Sequence, residues 1–119
     1  MAASDWRVLV DYMTSPGCLQ ETLRVYLARG LRPCPRPDGF VADGEEAHMD
    51  VVLVPLDDLV DAIYAGRVQN PTMVVGALSA YAALRTGRVA ALRPPDAAWP
   101  ARDAKHARDA ELARWRTTR

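Results

Sequence analysis

Residues 6–31, "WRVLVDYMTSPGCLQETLRVYLARGL", decide how this chain folds. "WRVLVDYMT" is rich in β-branched and aromatic residues and closes at "SPG", which predicts a strand from about Arg7 to Met13 followed by a turn. In "ETLRVYLARGL", Leu23, Val25 and Leu27 alternate with Arg24, Tyr26 and Ala28, the pattern of a strand with one buried side. A helix is the alternative, since Leu, Arg and Ala also favour helices. Gly30 and the prolines beyond it stop the segment early, which favours the strand. The first strand starts almost at the first residue, and the reading expects something upstream of it.

"RPCPRPDGFVADGEEAH" then runs for 17 residues with alternating prolines and few apolar side chains. That composition predicts a loop, and loops so long usually carry function or disorder. "MDVVLVPL" is nearly continuous in apolar residues, as expected of a third strand buried on both faces. "PLDDLVDAIYAG" predicts a short helix with Asp57 at its N-cap and Gly66 beyond its end. "NPTMVVGALSAYAALRTG" predicts a longer one, with Asn70 as cap, Pro71 at the first position and Gly87 as stop. That helix is apolar around most of its circumference, so cover is expected on nearly every side. In the tail, Ala104, Ala107, Ala110 and Leu112 outline a weak apolar stripe on a terminal helix, with Trp99 and Trp115 as candidate anchors.

The chain has 119 residues, 50% of them apolar and 25% charged, with net charge zero. This bounds it to one small soluble domain and gives no global field for nucleic acid or an anionic membrane. No apolar stretch reaches the roughly 20 residues of a membrane span, and no signal peptide is visible, so a cytoplasmic protein is expected. Cys18 and Cys34 lack metal-site spacing. Reduced structural thiols are the first reading and a disulfide the second.

Only four glutamates occur, Glu21, Glu45, Glu46 and Glu111. Glu45 and Glu46 are adjacent, in the long loop, just before the apolar run. A carboxylate held on a loop by a rigid strand can act as general base or metal-binding oxygen; a solvated acidic turn is the bland reading. His48 lies two residues from Glu46, where an extended segment would allow a Glu–His dyad, but one histidine without a second nitrogen or sulfur ligand is a weak argument for zinc. Asp57, Asp58 and Asp61 suit a helix start. No nucleophile elbow, phosphate loop or dinucleotide fingerprint is present. The arginines of the tail are interleaved with acids, as on a solvated helix face.

Taken in order, "SPG…E", "YLA.GL", "EEA.M" and "G.V.N" resemble the C-terminal half of the actinobacterial-type ADP-ribose pyrophosphatases, which are Nudix hydrolases. The resemblance spans about residues 6 to 100. It implies part of an α/β/α sandwich, with about three strands of a mixed sheet and two or three helices. Residues 1–92 would be the C-terminal portion of a Nudix-like domain, and 93–119 a proline-rich connection and helical tail. The family is dimeric and cleaves ADP-ribose to AMP and ribose 5-phosphate with Mg²⁺ or Mn²⁺. By this resemblance Glu46 is the catalytic base and the one candidate for metal contact. Glu21, Gly17 and Glu45 would line the substrate cleft. The loop–helix–loop signature whose glutamates hold the metals has no counterpart among these residues. Neither an Arg-Glu pair nor a second Glu-Glu pair occurs. The resulting expectation is a truncated hydrolase, inactive or very weak alone, that acts as a homodimer or with a missing N-terminal half. A non-catalytic dimerisation or interaction module of the same descent is the alternative.

Overall fold

The computed structural model describes residues 1–15, 21–35, 39 and 50–117, with the backbone alone at 112 and 115–117. Strands β1 (Asp5–Met13) and β2 (Thr22–Arg29) form an antiparallel ribbon. Helices α1 (Leu56–Tyr64), α2 (Pro71–Arg85) and α3 (Pro100–Thr117) follow, with a single 3₁₀ turn at Arg88–Ala91 between the last two. The class is α/β. The strand reading of residues 22–29 holds over the helical alternative, because alternation gives each side of the ribbon its own cover.

A β-bulge sets those two sides. Val8 faces Tyr26 and Val10 faces Val25, so Leu9 is the extra residue on β1. Each bulge shifts the parity of the strand that carries it. Beyond the bulge, odd-numbered Asp11 shares the side of even-numbered Val8. Tyr12 turns to the other side, where its hydroxyl lies 2.7 Å from the Thr72 hydroxyl on α2. Helix α2 packs on that side, close enough that a Cβ at Gly76 would stand 3.3 Å from Val25 Cγ1. At the far end the ribbon is extended by the Ala2–Arg32 bridge. Gly30 (φ +62°) lies so close there that any Cβ would collide with the Ser4 hydroxyl.

Helix α2 starts as its sequence predicts. The Asn70 side chain accepts from the Met73 amide at 3.0 Å, and Pro71 fills the first position. In α1 the expected cap is corrected. Pro55 occupies the cap position, so Asp57 falls inside the first turn and instead pairs with Arg85 of α2. A carboxylate in that turn still meets the positive end of the helix dipole. Helix α1 packs on α2, with Val60, Ala77 and Ala83 buried.

The third strand is also corrected. Residues 50–55 belong to no strand, and Val51, Val52, Leu53 and Val54 are exposed. Apolar composition favours burial, but a strand needs a neighbour to bond, and the described residues offer none. Among the described residues the sheet is a two-stranded antiparallel ribbon where about three strands were expected, within the expected α/β class. Cover around α2 is likewise incomplete, with Met73 and Leu84 about half exposed. On α3, Ala104, Ala107 and Ala110 face solvent, since alanines bury too little area to hold a helix down. Cys34 is free and exposed, so it is no buried structural thiol. Cys18 and the Trp115 side chain lie outside the described residues. No helix is long and apolar enough to cross a membrane.

Gly76 tests the ribbon–helix contact. Gly76→Leu should destabilise the fold by about 1–3 kcal/mol, the usual range for overpacking, measured by chemical denaturation. Asn70→Ala should cost about 1 kcal/mol through the lost cap.

Candidate functional site at the end of the ribbon

The side of the ribbon away from α2 is crossed by residues 93–99. The Val8 amide donates to the Arg93 carbonyl at 2.9 Å, just before the bulge. After the bulge, Asp11 stands opposite Arg24. Arg24 Nε donates to Asp11 Oδ1 at 2.7 Å and Nη2 to Oδ2 at 3.0 Å, a two-pronged pair. The same guanidinium donates to the carbonyls of Ala97 at 2.6 Å and Ala98 at 2.9 Å. Its carbon lies 4.7 Å from the centre of the Trp99 ring, and Arg102 approaches that ring at 5.6 Å. Arg93 Nη2 completes the cluster, 2.8 Å from Asp11 Oδ2.

Arg24 is buried, with only 3% of its side chain exposed, and Asp11 is 24% exposed. The hydrogen bonds from Arg24, first in weight, and those from Arg93 hold the Asp11 carboxyl below the usual aspartate range, against burial, which pushes it up. The pairing with Asp11 likewise raises Arg24. Asp11 is thus an ionised carboxylate whose lone pairs are mostly engaged, which makes it a poor proton acceptor. Arg24 has spent its donors on protein oxygens and has few left for a phosphate. The cluster is a clasp that fastens residues 93–99 to the ribbon.

Beside the clasp lies a cavity of about 300 Å³, lined by Asp11, Tyr12, Met13, Thr22, Trp99, Pro100 and Ala101. Trp99 Nε1 is buried near it without a hydrogen-bond partner. Glu21 sits at this end of the ribbon. It is exposed, and its carbonyl accepts from the Thr14 amide at 3.3 Å, beyond the last pair of the ribbon. Of the residues that the family resemblance assigns to the site, Glu21 alone falls within the described part. Gly17, Glu45, Glu46 and His48 lie outside it. Among the described residues no group of three or more histidines, cysteines or carboxylates could hold a metal ion. These residues therefore do not fit a Mg²⁺ or Mn²⁺ site by themselves.

Sequence reasoning missed Asp11, Arg24 and Arg93. Their signal was present, as an acid and a base inside apolar strands, but bulge parity hid that they face each other. Trp99 was expected as an anchor and is one.

The chain is 39% identical over 99 residues to the ADP-ribose pyrophosphatase of Mycobacterium tuberculosis (strain ATCC 25618 / H37Rv). The match covers 83% of this chain and 45% of that protein, so the chain spans less than half the length of this relative. No family model matches the chain.

The clasp makes stability acid-sensitive. Asp11 titrates lower in the folded than in the unfolded chain, so its contribution is full above an unfolded value of about 3.9. It is lost as pH falls through the folded value. Asp11→Asn should flatten this acid limb in a stability–pH profile. Asp11→Ala should cost about 2–3 kcal/mol at neutral pH, because it strands a buried guanidinium.

Proposed function

We propose that this chain is part of a hydrolase of the ADP-ribose pyrophosphatase type, acting on nucleoside diphosphate sugars. The single observation that carries this is the 39% identity to the M. tuberculosis protein of that name, over 83% of the chain. The order of motifs along residues 6–100, which resembles Nudix hydrolases, agrees with it.

In this reading Glu46 is the general base. Its carboxylate takes a proton from a water that attacks a phosphorus of the diphosphate, and the phosphoanhydride bond breaks to release AMP and ribose 5-phosphate. Glu45, Gly17 and Glu21 line the cleft. Glu21 directly precedes β2, at the end of the ribbon that the clasp fastens. Mg²⁺ or Mn²⁺ would neutralise the diphosphate when bound. The described residues do not build its site. With four glutamates in all, the 119 residues alone are proposed to turn over ADP-ribose very weakly or not at all. The exposed run Val51–Val54 favours a second reading, a non-catalytic interaction module of the same descent. A cytoplasmic setting suits either.

Replacing the matched stretch of the M. tuberculosis protein with this chain tests the first reading. The chimera should hydrolyse ADP-ribose with Mg²⁺, and Glu46→Gln in it should lower kcat by about 10²–10⁴, the usual worth of a general base. A folded chimera without turnover, or one indifferent to Glu46→Gln, would leave the interaction module. The 119-residue chain by itself should show no turnover above a no-enzyme control.

A further inference from the structure

The cavity at the end of the ribbon serves neither the clasp nor the chemical step proposed above. Its volume, about 300 Å³, falls at the lower end for small-molecule pockets, which are mostly apolar with a few placed polar groups. By the register beyond the bulge, Asp11, Met13 and Thr22 share one side of the ribbon, and Trp99, Pro100 and Ala101 complete the wall. The resemblance to Nudix hydrolases assigns a role to none of these six. Asp11, 24% exposed, can only accept hydrogen bonds. The clasp directs three N–H groups to it, and a carboxylate has about four acceptor positions, so room for one more is left. The Thr22 hydroxyl, a donor and an acceptor, has no partner among the described residues. The Trp99 Nε1–H is buried without an acceptor, a cost that a ligand oxygen reaching it would relieve.

A ligand that fits must be small, donate to a carboxylate, accept from a hydroxyl or an indole N–H, and lay C–H surface against Met13 and Pro100. A sugar ring meets all of these conditions, because each hydroxyl both donates and accepts while the ring carbons are apolar. A free phosphate fails, since it brings charge of the same sign as Asp11 and little to donate. We propose that this cavity binds the ribose ring of a sugar phosphate, with its neighbouring 2- and 3-hydroxyls meeting Asp11 and Thr22. The choice of a pentose rests on the hydrolase reading, in which the substrate and both products carry ribose. Glu21, which that reading puts in the substrate cleft, directly precedes Thr22. The ribose of AMP and that of ribose 5-phosphate share this chemistry, and separate titrations tell them apart.

Titration of the full chain with ribose 5-phosphate and with AMP, followed by heteronuclear NMR, tests the proposal. The expected result is a saturable shift of the Trp99 indole N–H and the Thr22 amide with at least one of the two, the tighter naming the ribose that enters. The 2-deoxy analogue of that ligand should bind at least about tenfold more weakly, the worth of one hydrogen bond to a charged group. Thr22→Val, which keeps the side chain's shape, should weaken binding about threefold to tenfold with an unchanged circular dichroism spectrum and denaturation midpoint. No saturable shift at these groups would overturn the proposal, as would equal affinity for the deoxy analogue or the same shifts from inorganic phosphate. The hydrolase reading is judged apart from this. A chimera that turns over ADP-ribose while the cavity takes no ribose removes this proposal alone, and ribose binding beside an inactive chimera removes the hydrolase reading alone.

Discussion

The Arg24 guanidinium is the constraint on which the rest of this structure leans. It joins β1 through Asp11, the 93–99 segment through two carbonyls, and the start of α3 through the Trp99 ring. A buried charge is tolerable only when its hydrogen bonds are met, and here four are directed to oxygen. A lysine could not replace it, because an ammonium has neither the fork for a carboxylate nor the plane for an indole. The Leu9 bulge is the precondition. Without it Asp11 would turn toward α2, leaving Arg24 unpaired.

Around that clasp the fold is a thin sandwich, with α2 on one side of the ribbon and residues 93–99 on the other. Among the described residues the buried apolar ones are few, Val8, Val60, Ala77 and Ala83. Polar fastening therefore carries a larger share of the order than in a domain with a deep core. The arrangement also separates two jobs. Strand and helix residues make a support, while the residue proposed as general base belongs to a segment between them. Such a division is common where a rigid scaffold presents loops that do chemistry.

Much of the scaffold was legible in the sequence. The β1 and β2 segments, the Asn70–Pro71 start of α2 and the anchoring role of Trp99 all follow from local chemistry, and local chemistry is what a sequence displays. The third strand was not legible, because four apolar residues ask for cover without saying whether it is within reach. Asp57 was misplaced for a smaller reason. Aspartate is the commoner cap, but α1 begins at Leu56 with Pro55 before it and no side-chain cap, and only the helix start shows this. The candidate catalytic residues were read from a pair of scarce glutamates in a long loop and from motif order, which carry identity but no geometry.

The sequence by itself determined the two ribbon strands, the presence of the helices, the start of α2, the scarcity of glutamate and the likeness to an ADP-ribose pyrophosphatase. Each depends on residues that are neighbours in the chain. Only the tertiary structure decided that Asp11, Arg24, Arg93 and Trp99 meet, that Gly76 admits Val25, and that Val51–Val54 stand open to solvent. Those facts depend on a one-residue bulge that inverts strand parity, and on contacts between residues as far apart as Arg24 and Ala98. No local pattern encodes either.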